Sequence, residues 1–209
     1  LGYSMSKYFL ELVASVVITS RKEDVLKKAK KELESDTNGK VHYVPGDVRN
    51  PEDVENTISS TIDTFGKIDC LLNNAAGNFI SPTEKLSTNA FDVVVDIVLK
   101  GTYNYSLLVG KYWIENDIKG TMLNITTTYA YTGSGYVVPS ACAKGGVLTL
   151  TEQIENMREK GPSRVSPFLM PMMLSDMACG QVSIALGAKG PVKCPVTACS
   201  SGADSVGEA

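Results

Sequence analysis

Hydrophobic and polar positions alternate along the first 145 residues in two rhythms. Short runs of β-branched or apolar residues predict four strands: Ser15–Thr19 (SVVIT), Lys40–Val44 (KVHYV), Ile68–Leu72 (IDCLL) and Thr121–Ile125 (TMLNI). The stretches between them are long enough for helices. Glu23–Ser35 spaces Val25, Leu26, Ala29 and Leu33 at helical intervals, and Tyr3–Leu12 is helix-like as well. Pro51-Glu52-Asp53 reads as a helix start, because proline loses no hydrogen bond in the first turn and acids favour the positive end of the dipole.

Strands and helices in alternation predict an α/β chain with an open, Rossmann-like doubly wound parallel sheet. Such a fold is expected to open on a buried strand and a Gly-rich turn whose amides meet a pyrophosphate at a helix N-terminus. Here Leu1-Gly2 leads straight into the Tyr3–Leu12 pattern. The expectation is therefore a sheet lacking its first strand, with Gly2 as the last remnant of the fingerprint and with unpaired strand edges beside the gap.

Composition changes this picture mainly by exclusion. The 209 residues are 43% hydrophobic and 21% charged, with a mean hydropathy of -0.01, as in ordinary globular proteins. No apolar run approaches the roughly 18 residues of a membrane span. A net charge of -3 offers no footprint for nucleic acid or an anionic membrane. Cys70, Cys142, Cys179, Cys194 and Cys199 are too scattered for a disulfide framework or a zinc motif, so reduced thiols in an intracellular compartment are expected. The single histidine, His42, rules out a His-rich metal site and lies in a predicted strand, where a structural role outweighs a catalytic one.

The averages conceal a seam. Beyond residue 160 the charged residues are Arg164, Asp176, Lys189, Lys193, Asp204 and Glu208, while five of the nine prolines and four of the seven methionines gather there. That shift predicts either a buried terminal segment or a piece of different origin.

Three motifs carry candidate chemistry. Ser20-Arg21-Lys22 follows the SVVIT strand, where an acid would accept from a ribose 2'-hydroxyl and basic groups would accommodate a 2'-phosphate. Arg21 and Lys22 thus point to NADP rather than NAD, the alternative being two solvated basic residues at a helix start. Asn73-Asn74-Ala75-Ala76-Gly77 follows IDCLL, and small residues there let a flat ligand approach the backbone, although the same run could be a plain turn. The third is Thr126-Thr127-Thr128-Tyr129 with Ser140-Ala141-Cys142-Ala143-Lys144.

Together these motifs resemble the short-chain dehydrogenase/reductase family. NNAAGNFISPTEKLS and YTGSGYVVPSACAKGG are similar to its 2,4-dienoyl-CoA reductase branch, in which Ser140-x-x-x-Lys144 replaces the more usual Tyr-x-x-x-Lys. The resemblance implies NADPH-dependent reduction of 2,4-dienoyl-CoA thioesters in unsaturated fatty-acid β-oxidation. It implies that Lys144 binds the nicotinamide ribose and lowers nearby pKa values through its charge. It also implies that Asn78 and Tyr129 hydrogen-bond the thioester carbonyl, with Ser140 supporting them. Gly2, Arg21, Lys22, Asp47, Val48, Asn74, Ala75 and Gly77 would accompany Lys144 around NADP(H), and Phe79 and Ile80 would line an apolar substrate slot. The superfamily's additional catalytic Asn falls at Val98, and a glycine found before the second strand in many relatives falls at Val13. A mitochondrial or peroxisomal setting follows from the resemblance, a cytoplasmic one otherwise, and no transit peptide is visible.

The remainder resembles another family. Glu159–Phe168 (EKGPSRVSPF), Gly187-Ala188-Lys189-Gly190-Pro191 and Val196-Thr197-Ala198-Cys199-Ser200-Ser201-Gly202 are similar to β-ketoacyl-acyl carrier protein synthases of the thiolase fold. That resemblance implies residues 1–145 as a truncated NADP-binding reductase-like domain and 146–209 as a ketosynthase-like fragment. Cys199 would be an acyl-accepting nucleophile at a helix start, the alternative being a small buried residue. The synthase family's catalytic histidines and lysine fall beyond Ala209. Three readings stand: the reductase, acyl transfer on Cys199, and a non-catalytic chimera. An acyl-CoA or acyl carrier protein thioester is the shared ligand class. Relatives of both halves are oligomers, so a homo-oligomer is an expectation of the resemblance.

Overall fold

The alternating pattern folds as alternating elements. A computed structural model describes residues 1–160, with side chains through Glu152. In chain order the elements are α1 (Gly2–Glu11), β1 (Val16–Ser20), α2 (Glu23–Thr37), β2 (Val41–Pro45), α3 (Pro51–Phe65), β3 (Cys70–Asn73), α4 (Thr88–Val95), α5 (Gly101–Glu115), β4 (Thr121–Asn124), α6 (Tyr129–Thr132) and α7 (Val138–Lys160). A 3-10 turn covers Thr83–Lys85, and a π-helical turn, Asp96–Lys100, separates α4 from α5.

These elements form two compact units that interleave along the chain. The first comprises Leu1–Ala75 with Lys100–Ile125, and the second Ala76–Leu99 with the residues from Thr126 on. The join expected at Gly145-Gly146 lies within α7, which runs through both buried glycines without a break. Cys199 and most of the ketosynthase-like stretch lie outside the described residues.

In the first unit, β1 pairs in parallel with β2, Val16 opposite Val41 and Ser20 opposite Pro45. β3 pairs in parallel with β4, Cys70 opposite Thr121 and Asn73 opposite Asn124. Each parallel pair needs a crossover, and α2 supplies the first. Among the described residues the two pairs form separate two-stranded sheets, as unpaired edges beside a missing strand would leave them. A doubly wound order gives this result when no strand joins β1 to β3 among the described residues.

Helix ends follow local chemistry. Pro51 opens α3 behind Asn50, whose side chain accepts from the Glu52 amide at 3.1 Å. α2 begins with Glu23 and Asp24 and buries Leu26 and Leu33. Its exposed face carries i, i+4 pairs such as Lys27–Glu23 at 2.9 Å, each worth roughly 0.2–0.5 kcal/mol. Leu33 joins Leu10 and Val41 in one apolar cluster beside Val16 and Ile18. A second cluster gathers Ile68, Val109 and Trp113, and the Trp113 indole donates to the Ile68 carbonyl at 2.7 Å. His42 half-buries on β2 with its Nε2 2.9 Å from Ser60 Oγ, in keeping with a structural role.

The second unit packs α4 and α6 against α7. Ser87 caps α4 by accepting from the Ala90 amide at 3.2 Å. Along α7, Ala141, Cys142, Ala143, Gly145, Gly146 and Val147 are all buried. This small-residue run lets neighbouring helices approach closely.

Candidate active site

The nucleotide-facing candidates of the first unit sit at the carboxyl ends of its strands. Open α/β sheets bind ligands there. Arg21 and Lys22 are exposed just past β1, and the Lys22 amide donates to Ser20 Oγ at 3.4 Å. Gly2 opens α1, and a Cβ built on it would stand 3.0 Å from Asn74 Nδ2, just past β3. The first-turn amides of α1 therefore lie beside Asn74, free of intrahelical partners and attractive to an anion.

Asp47 is a framework group in this structure. Arg49 Nε lies 3.0 and 3.1 Å from its two carboxylate oxygens, Arg49 Nη2 lies 2.5 Å from Oδ2, and the Arg49 amide donates at 3.0 Å. Those side-chain hydrogen bonds hold the carboxyl below its usual range against a smaller effect of burial, with a minor contribution from Arg21. The Asp47 amide donates to Asp53 Oδ2 at 2.8 Å, so this residue fixes the loop after β2. Its neighbour Val48 presents its carbonyl to Asn104 Nδ2 at 3.0 Å and packs over Gly101 at the start of α5.

Sequence reasoning missed the role of the first residue of NNAAG. Asn73 is buried, and its amide donates to Asn124 Oδ1 at 2.8 Å and to Ser106 Oγ at 3.2 Å. It bolts the end of β3 to β4 and α5. No local signal in the sequence marks this role, because the partners lie on β4 and α5, far along the chain.

The second unit holds the candidate catalytic hydroxyls. Tyr129 opens the single-turn α6, and its phenol oxygen lies 3.1 Å from Ser140 Oγ in the first turn of α7. Lys144 follows one helical turn later, on the same face as Ser140. Only 4% of Lys144 is exposed, and burial pushes its ammonium below the ordinary value of 10.5. Its carbonyl accepts from Thr126 Oγ1 at 3.5 Å. The adjacent Thr127 hydroxyl is buried without a partner among the described residues.

Other candidates are placed less tightly. Asn78 is exposed, and no hydrogen bond links it to Tyr129 or Ser140. A Cβ on Gly77 would make ordinary contact with Ile97 at 3.6 Å, so close packing does not require glycine there. Val98 is fully buried within the π-helical turn and offers no polar group to a relay. Among the described residues no cluster of three metal-binding side chains occurs, and no helix is long and apolar enough to cross a membrane.

Parallel βαβ pairs, and a Tyr–Ser–Lys group on two helices, make this a Rossmann-like α/β protein. A family model described as short chain dehydrogenase matches residues 1–181, and the chain belongs to that family. The match runs past residue 145 and covers much of the ketosynthase-like stretch. Over 154 residues the chain is 40% identical to the probable 2,4-dienoyl-CoA reductase of Bacillus subtilis strain 168, covering 74% of this chain and 60% of that protein. Over 165 residues it is 34% identical to the peroxisomal 2,4-dienoyl-CoA reductase of Danio rerio, covering 79% and 54%. The crystal structure of a short chain dehydrogenase from Bacillus anthracis superposes with a TM-score of 0.71 at 44% identity, covering 77% of this chain and 67% of that one. The chain thus spans 54–60% of the length of these two curated relatives.

Proposed function

We propose that this chain carries out NADPH-dependent reduction of a 2,4-dienoyl-CoA thioester to an enoyl-CoA. The observation that carries the reading is the 3.1 Å pairing of Tyr129 with Ser140, one turn from the buried Lys144. Two curated relatives named as 2,4-dienoyl-CoA reductases support it. The residues present also fit a dinucleotide, since Gly2 leaves the α1 amides open beside Asn74 and two exposed cations follow β1.

Arg21 and Lys22 would hold the 2'-phosphate, Gly2, Val48, Asn74, Ala75 and Gly77 the backbone-facing parts, and Lys144 the nicotinamide ribose. When bound, NADPH supplies a hydride to the diene. Tyr129 donates a hydrogen bond to the thioester carbonyl oxygen as negative charge gathers there, and Ser140 fixes the phenol's direction. Asn78 adds a second donor from its exposed position. One proton then adds to the dienolate, so each turnover consumes one hydride and one proton. An acyl-CoA is the partner this chemistry requires, and the relative named as peroxisomal supports a peroxisomal setting.

The test is NADPH oxidation, followed by absorbance, with 2,4-dienoyl-CoA substrates. Replacing Tyr129 by Phe removes one oxyanion donor and is expected to lower kcat by roughly 100- to 1,000-fold. Absence of NADPH oxidation with every 2,4-dienoyl-CoA would overturn the proposal.

A further inference from the structure

We propose that Asn104, Tyr105 and Ser106 are positioning residues, one turn of α5 that fixes the ends of β1 and β3 and the loop after β2 and so sets the affinity for the adenosine 2'-phosphate half of the dinucleotide. This rests on the reductase reading for the identity of the cofactor. Every residue concerned belongs to the first unit.

Three consecutive buried polar side chains are unusual on a helix. Asn104, Tyr105 and Ser106 are 9%, 8% and 4% exposed. Successive helical positions point about 100° apart, so such a run needs polar partners spread over a wide arc. Each residue finds them near the carboxyl end of a different strand. Asn104 Nδ2 donates to the Val48 carbonyl at 3.0 Å, three residues past β2. Ser106 Oγ accepts from Asn73 Nδ2 at 3.2 Å, at the last residue of β3. The Tyr105 phenol adjoins the hydroxyls of Thr57 in α3 and Thr19 in β1.

The loop after β2 is the part most completely held. Thr57 spends its own hydrogen on the Asp53 carbonyl at 2.8 Å, so the Tyr105 phenol is the donor between the two hydroxyls. Asp53 in turn accepts from the Asp47 amide at 2.8 Å. The loop is therefore fixed from α3 at Asp47 and from α5 at Val48. Burial pushes the phenol above its ordinary value of 10.0, which keeps it protonated as a donor.

Apolar side chains would pack α5 with less desolvation cost. Satisfied buried polar groups instead specify one arrangement of the segments they join. The segments joined here end where open α/β sheets bind their ligands. Asp47 also feels the charge of Arg21, so the loop that Asn104 holds lies near a cation proposed for the 2'-phosphate.

Calorimetric titration with NADPH and with adenosine 2',5'-bisphosphate reads this positioning without turnover. Asn104→Ala removes one buried hydrogen bond, and Tyr105→Phe removes the phenol oxygen alone. In each, the Kd for both ligands is expected to rise by the same factor, roughly three- to tenfold. Ser106→Ala, which leaves Asn73 its bond to Asn124, should weaken both ligands less than Asn104→Ala does. Trp113→Phe is the structural control. It breaks a 2.7 Å hydrogen bond to the Ile68 carbonyl in the last turns of the same helix, and should lower Tm while both affinities stay at wild-type values.

Unchanged affinities in Asn104→Ala and Tyr105→Phe would overturn the positioning role, as would no binding of either ligand by the wild-type chain. Equal weakening in Trp113→Phe would overturn it too, by assigning the effect to a general loosening of α5. Weaker NADPH binding with bisphosphate affinity retained would place the effect on the other half of the cofactor and refute the assignment. The two proposals separate in the same samples. NADPH binding that needs Asn104 and Tyr105, without oxidation by any dienoyl-CoA, would leave the positioning turn and remove the reductase reading. Dienoyl-CoA reduction with wild-type NADPH affinity in both variants would do the reverse.

Discussion

Replacing Gly101 by Ala sets two magnitudes of opposite sign against each other. Gly101 is buried at the first position of α5, where alanine would ordinarily stabilise the helix by roughly 0.5–1 kcal/mol. The added methyl, however, would stand 2.5 Å from Val48 Cγ2 and 2.9 Å from Val48 Cβ. Carbon atoms prefer separations of about 3.5–4.0 Å, so Val48 must retreat by roughly 1 Å. A rotamer change cannot relieve a clash with Cβ, and the Val48 carbonyl is held by Asn104. Overpacking of this kind costs about 1–3 kcal/mol, leaving a net loss of up to about 2.5 kcal/mol after the propensity gain. With a urea m-value near 2 kcal/mol/M, the unfolding midpoint should fall by up to roughly 1.2 M. Val48→Ala in the same chain removes Cγ2 and should return part of the loss, giving a non-additive double-mutant cycle. A Gly101→Ala protein that unfolds at higher urea than wild type would refute the packing argument.

Further expectations concern single groups. Asn73→Ala deletes the donor shared by Asn124 and Ser106 and should destabilise by roughly 1–3 kcal/mol in thermal or urea unfolding; an effect within 0.5 kcal/mol, the range of a neutral surface change, would mean that the amide is not structural. Asp47 has a folded pKa below its ordinary 3.8, so its stabilisation is fully present above that value and is lost as pH falls through the lower folded pKa. Asp47→Asn should therefore cost stability at neutral pH and little at strongly acid pH, and a constant difference in Tm across that range would contradict this. Ser140→Ala leaves the Tyr129 phenol without its 3.1 Å partner and should lower kcat more than it changes KM for the dienoyl-CoA; a change in KM alone would point to a binding role.

The strands were legible because β-branched runs are hard to place elsewhere, and each observed strand lies within two residues of its predicted span. The ends of α2 and α3 were equally readable from Glu23 and Pro51. The boundary expected at residues 145–146 from two resemblances falls inside α7, although paired glycines cost a helix roughly 2 kcal/mol in propensity. Here both are buried in α7, so tertiary packing outweighs that cost. Tyr129, Ser140 and Lys144 were singled out through the family resemblance, and the structure places the Tyr129 and Ser140 oxygens 3.1 Å apart with Lys144 one turn on. The role of Asn73 was not legible, as its partners Ser106 and Asn124 are 33 and 51 residues away. The pairing of Asp47 with Arg49, two residues on, carried no mark in the sequence either.

The interleaving of the two units bears on how the chain is made. β3 waits for β4, which pairs Cys70 with Thr121 across a long loop, so the first unit has no complete form until Ile125 has been synthesised. Contacts of that sequence separation slow folding, because loop closure must precede the gain from pairing. During synthesis β3 therefore presents an unpaired edge while the residues of the second unit's first segment, Ala76–Leu99, emerge behind it. Neither unit can be cut out as one continuous stretch of gene.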